Sequence, residues 1–115
     1  MIVDDVVSEI DILVDVLCKD YEICVATDGE SALELAAELS PDLILLDVLM
    51  PGIDGYEVCR RLKKDKKTRH IAIIFVTVLG EEGHEATGLA LGALDYITKP
   101  FNVDIVKARV RNNMD

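Results

Sequence analysis

Leu43-Ile44-Leu45-Leu46-Asp47, followed by Val48-Leu49-Met50-Pro51-Gly52-Ile53-Asp54-Gly55, decides the fold. Four consecutive branched aliphatics describe a strand buried on both faces, as in the middle of a parallel sheet; a half-exposed strand would alternate. Pro51, Gly52 and Gly55 then stop the strand from continuing. Asp47 therefore stands at the C-terminal edge of a core strand, the edge where open α/β sheets bind ligands.

Working outward, the same punctuation repeats. Ile2-Val3 is a very short strand running into Asp4-Asp5. Ser8 is placed to cap a helix that carries Ile10, Leu13, Val14 and Leu17 on one face. Residues 21–26 read as a second strand, and Thr27-Asp28-Gly29 as a turn and cap. Ala32, Leu33, Leu35, Ala36 and Leu39 build a second helix that stops at Ser40-Pro41. Beyond the central strand, Gly55 opens a third helix with Val58, Cys59 and Leu62 inward. Residues 71–76 form a fourth, β-branched strand ending on Thr77. A loop with Gly80 and Gly83 leads to a helix through Ala86, Leu89 and Ala90, ended by Gly92. Residues 95–98 form a fifth short strand ending at Lys99-Pro100. Asn102 caps a last helix with Ile105, Val106 and Val110, and Phe101 is placed to staple against Ile105 or Val106. Strand and helix alternate five times. That predicts a doubly wound α/β fold, a five-stranded parallel sheet with helices on both faces. No linker, repeat or low-complexity segment divides residues 1–115, so they read as one domain.

Composition narrows the function. A net charge of −10 repels nucleic-acid phosphates, so direct DNA or RNA binding is not expected. No apolar run reaches membrane-spanning length and no signal peptide is apparent, which predicts a cytoplasmic protein with no membrane contact. Cys18, Cys24 and Cys59 have no metal-ligand spacing and read as thiols in a reducing compartment. Seven of the twelve basic residues fall between Arg60 and Arg69, which reads first as a solvated helix end offsetting the helix dipole.

The strand ends carry the chemistry. Asp4 and Asp5, Asp47, Thr77 and Lys99 end four different strands and converge on one sheet edge. Three crowded carboxylates repel one another, and a hard divalent cation such as Mg²⁺ relieves that with an oxygen shell. With Lys99 and the Thr77 hydroxyl, such a site suits a phosphoryl group, and a carboxylate can act as its nucleophile.

These residues resemble the receiver domain of two-component response regulators, the superfamily of the chemotaxis regulators. The resemblance lies in Asp4-Asp5, Asp47 with Met50-Pro51 and Asp54-Gly55, Thr77, and Gly92-Ala93 through Tyr96-Ile97-Thr98-Lys99-Pro100-Phe101. It covers nearly the whole chain. It implies a flavodoxin-like sheet in the order 2-1-3-4-5 and a phosphoacceptor at Asp47 that receives its phosphoryl group from a sensor histidine kinase. Asp5, Asp47 and the backbone carbonyl of Leu49 would ligate Mg²⁺, with Asp4 holding a metal-bound water. Lys99 would pair with the phosphoryl oxygens, and the Lys99–Pro100 bond is expected to be cis. Thr77 and Tyr96 would form a switch pair read out on the face of the helix through Ala86, the fifth strand and the last helix. That face would serve an output domain, an effector or a homodimer. The chain would modify only its own aspartate and turn over no external substrate. A phosphatase with an aspartate nucleophile would need an acid/base aspartate at position 49, and a pseudo-receiver that never carries phosphate is the alternative reading.

The sequence also departs from the family. Only three residues precede Asp4, which leads to the expectation of a short first strand and a less stable sheet. Val6 and Val7 stand where a polar residue and a proline are common, and Val78 where a small residue usually follows the switch threonine. Phosphorylation slower than in a Val78→Ala variant is the expected consequence. Leu49 and Leu79 border the place of the attacking water and predict a long-lived acyl phosphate. Asp95 and Arg109 occupy positions that pair between subunits in some transcriptional regulators, and Ile105 replaces the glutamate expected at the start of the last helix. The wording of the second half looks like receivers joined to cyclic-dinucleotide cyclases or phosphodiesterases.

Overall fold

A computed structural model describes residues 1–78 and 92–114. Five strands, β1 (Ile2–Val3), β2 (Val25–Ala26), β3 (Leu43–Asp47), β4 (Ala72–Val78) and β5 (Asp95–Lys99), form one parallel sheet in the order β2-β1-β3-β4-β5. Four helices are described: α1 (Val7–Leu17), α2 (Gly29–Leu39), α3 (Gly55–Lys64) and α4 (Val103–Met114). The loop with Gly80 and Gly83, Leu79, and the helix expected through Ala86, Leu89 and Ala90 lie outside the described residues.

The alternation of side chains along β3 builds both core layers. Ile44 and Leu46 face one way, with Val3, Ile73 and Phe75, against Ala32 and Ala36 of α2 and Val58, Cys59 and Leu62 of α3. Leu43 and Leu45 face the other way, with Ile2, Ile74, Val76 and Ile97, against Ile10, Leu13 and Leu17 of α1 and Val106 and Val110 of α4. All five residues of β3 are buried, as expected of a strand covered on both faces.

Several local expectations need correction. Ser8 does not cap α1. Val6 is the cap residue, without a side-chain bond of its own, and its amide donates to Asp4 Oδ1 at 2.9 Å. The second strand spans only two residues rather than 21–26. It is an edge strand whose sole neighbour is the two-residue β1, so the ladder has no partner to extend along. β4 begins one residue later than expected and runs through Thr77 to Val78, and β5 takes in Lys99. Leu39 is exposed at the end of α2, and Ser40 leaves the helix in a left-handed conformation, φ 47°. Phe101 packs on the layer that holds Val106, while Ile105 is exposed. The caps at Asp28 and Asn102 form as expected, and Asp54 caps α3 as well, each accepting from a backbone amide three residues on.

Candidate functional site

Register alone assembles the site. Val3 pairs with Leu46, so Asp4 follows beside Asp47; Asp47 pairs with Val76, so Thr77 lies one step beyond; Val78 pairs with Lys99. Four strand ends thus deliver two carboxylates, a hydroxyl and an amine to one edge. Asp4, Asp47 and Thr77 are 1 %, 5 % and 4 % exposed, burial that polar groups tolerate only with partners. Lys99 Nζ lies 3.3 Å from Asp47 Oδ1 and 3.3 Å from Asp4 Oδ2, and it pairs with Glu9 Oε2 as well. The Asp47 contact is a hydrogen bond, whereas the Asp4 contact is an ion pair without one.

The loop after Asp47 is tightly held. The Val48 amide donates to Val76 O, and the Gly55 amide donates to Val48 O at 2.8 Å. Gly52 has φ 81°, a value that glycine adopts without strain. At Gly55 the chains approach so closely that a Cβ would sit 2.3 Å from Asp47 O and 2.9 Å from Val48 Cα. Both neighbours are backbone, so Gly55→Ala must displace the segment that aims Asp47. The expected cost is about 1–3 kcal/mol, the range for overpacking, read as a lowered Tm; an unchanged Tm would show that the loop yields freely.

Burial and the adjacent Asp4 charge push the Asp47 carboxyl up to about 7, against the pull of Lys99 and with a smaller push from Asp5. Burial works against the Lys99 ammonium, but its hydrogen bond to Glu9 and the charges of Asp47 and Asp4 outweigh that and raise its pKa.

A cleft of about 170 Å³ opens over these groups, walled by Asp5, Asp47, Leu49, Thr77, Val78 and Lys99 among others. A larger cavity of about 590 Å³ lies at the opposite end of the sheet, around Met1, Tyr21 and Leu43, and contains none of the convergent groups. The convergent polar groups are therefore gathered at the strand-end cleft.

The carboxylates fit a hard cation. Asp4, Glu9 and Asp47 each present an oxygen within 4.8 Å of the others. Asp4 Oδ2 and Thr77 Oγ1 are buried with no hydrogen-bond partner among the described residues, an arrangement that calls for a ligand in the cleft. Asp5 is exposed and stands outside that carboxylate group, on the wall of the cleft. Glu9 is the member that the sequence reading missed.

Tyr96 is 8 % exposed and lies inward, its ring centroid 5.9 Å from that of Phe75, to which it is paired in register. The Lys99–Pro100 bond is cis, as expected. Gly92 has φ 102°, in the left-handed region. Arg109 Nη1 donates to Asp95 Oδ1 at 2.5 Å within the chain. No helix among the described residues is long and apolar enough to cross a membrane.

Known proteins resemble this chain in sequence and fold. Residues 1–111 match the model of the response regulator receiver domain. The chain is 45 % identical over 113 residues to response regulator PleD of Caulobacter vibrioides, covering 97 % of this chain and 25 % of PleD. It is 39 % identical over 112 residues to the DNA-binding dual master transcriptional regulator RpaA of Synechocystis, covering 96 % of this chain and 46 % of RpaA. It therefore spans between a quarter and a half of the length of these relatives. The signal receiver domain of a signal transduction histidine kinase from Syntrophus aciditrophicus superposes with a TM-score of 0.88 at 33 % identity, covering 98 % of this chain and 86 % of that one. With the sheet order, the convergent strand ends and these matches in agreement, the chain belongs to the response regulator receiver domain family.

Proposed function

We propose that this chain, residues 1–115 acting as one receiver domain, accepts a phosphoryl group on Asp47 from a sensor histidine kinase and passes the signal to an output domain or effector. The observation that carries the reading is the Lys99 amine set 3.3 Å from both Asp47 and Asp4, beside a buried Thr77 hydroxyl without a partner among the described residues. Family membership supports it.

In this mechanism an Asp47 oxygen attacks the phosphorus of a phosphohistidine. The new P–O bond forms as the P–N bond breaks, and the electron pair leaves with the imidazole nitrogen. Lys99 pairs with a phosphoryl oxygen as its charge shifts from the Asp47 carboxylate to the transferred group. The Thr77 hydroxyl donates to a second phosphoryl oxygen and gains its missing partner. Asp4, Asp5, Asp47 and the Leu49 backbone carbonyl would hold Mg²⁺, which when bound would supply positive charge to offset that of the phosphoryl oxygens and of the Asp47 carboxylate. Val78 is 45 % exposed on the cleft wall, where its branched side chain narrows the approach of a donor.

Readout follows from Thr77 and Tyr96, whose strands pair side by side. The Tyr96 ring already lies inward, so movement of the Thr77 hydroxyl toward the phosphoryl group is the first step of the switch. A homodimer built on β5 and α4 would first have to open the Asp95–Arg109 pair. The domain acts in the cytoplasm without contacting membrane or nucleic acid directly, and it turns over no external substrate.

Borohydride reduction tests the assignment. After incubation with acetyl phosphate and Mg²⁺, an acyl phosphate at Asp47 is reduced to homoserine, which peptide mass mapping locates. Homoserine at position 47 is the expected result. Its absence, or its appearance at Asp4 or Asp5 instead, would contradict the assignment.

A further inference from the structure

Lys99 lies among three carboxylates, and they are not equivalent. The side chains of Asp4 and Asp47 retain 2 % and 7 % of their exposure, while Glu9, in the first turn of α1, retains 28 %. The ammonium stands 3.3 Å from each aspartate and closer to Glu9. An ammonium between two aspartates competes with a divalent cation for the same oxygens. Asp4 and Asp47 can give those oxygens to a cation only if the ammonium withdraws, and withdrawal into an apolar wall would strand a charge. Glu9 offers a charged acceptor at the rim, on the solvent side of the pair.

We propose that Glu9 is a positioning residue that draws the Lys99 ammonium out of the Asp4–Asp47 pair and so frees both aspartates for a divalent cation. The inference rests on the reading of the site as a cation-dependent phosphoacceptor. Although the Glu9 carboxylate lies within 4.8 Å of the oxygens of both aspartates, it is engaged by Lys99, and it acts through that ammonium instead of as a ligand. The contact spans 90 positions of sequence, between the first turn of α1 and the end of β5. It satisfies no buried backbone group, and Glu9 is not part of either core layer.

Calorimetric titration of the full chain with MgCl₂ tests this in four proteins: wild type, Glu9→Gln, Lys99→Met and the double variant, each checked for a cooperative thermal melt. Glu9→Gln is expected to weaken Mg²⁺ about tenfold, the lower range for residues that orient a metal site. Lys99→Met removes the competitor, so Mg²⁺ binds more tightly, and adding Glu9→Gln then changes nothing. If Lys99→Met loses its melt, Lys99→Gln takes its place. Equal affinity in wild type and Glu9→Gln would overturn the inference. So would the same weakening with and without Lys99, which would make Glu9 a direct ligand or a source of field alone. No Mg²⁺ binding by wild type would instead overturn the reading of the site beneath it.

Discussion

Asp47→Asn raises the Tm of the Mg²⁺-free protein at pH 8 and leaves it nearly unchanged at pH 4. Folded Asp47 holds its proton to about 7, raised from 3.8 by burial and by Asp4. Between those values the folded state binds more protons than the unfolded one, so stability falls as pH rises, and the loss is complete above about 7. The full shift corresponds to about 4 kcal/mol. The cleft admits water over the carboxylate and screens part of it, leaving about 1–2 kcal/mol for the variant to recover. In a domain of this size that is a rise of roughly 5–10 °C. Asparagine keeps the shape and removes the charge, so the difference between the two pH profiles isolates the carboxylate. Mg²⁺ is expected to close the gap by stabilising only the wild type. Parallel profiles of the two proteins from pH 4 to 8 would show that Asp47 is not strained by its surroundings.

The second large effect concerns the lifetime of the phosphoryl group. Hydrolysis of an acyl phosphate needs a water placed in line with the bond that breaks. Leu49 stands two residues beyond Asp47, lines the cleft and is 57 % exposed, so it covers the approach with a side chain that holds no water. The acyl phosphate is therefore expected to last minutes to hours. Leu49→Glu places a hydrogen-bonding carboxylate at the same rim and is expected to shorten the lifetime about a hundredfold, at the low end for a positioned general base. Decay followed by intact mass after donor removal measures both. Loss within seconds in the wild type, or equal lifetimes, would refute the account of Leu49.

Much of this was legible in the sequence, for physical reasons. Four aliphatics before Asp47 can only be a strand covered on both faces, and once β3 is central the parallel order confines the other strand ends to the same edge. Asp4, Asp47, Thr77 and Lys99 were therefore recoverable from the ends of apolar runs. Glu9 was not. An acidic residue in a first helical turn reads as a complement to the helix dipole, and nothing local reveals a lysine 90 positions away. The shortness of β2 was hidden for a related reason. Residues 21–23 have strand-forming composition, but an edge strand is only as long as the neighbour it pairs with.

The most direct test of the central claim is the intact mass of the protein after incubation with acetyl phosphate, with and without Mg²⁺, beside Asp47→Asn. The account predicts a gain of one phosphoryl group in the wild type, only with Mg²⁺, and none in the variant. A folded wild type that gains no mass, or an Asp47→Asn variant that gains it equally, would contradict the assignment of Asp47 as the phosphoacceptor.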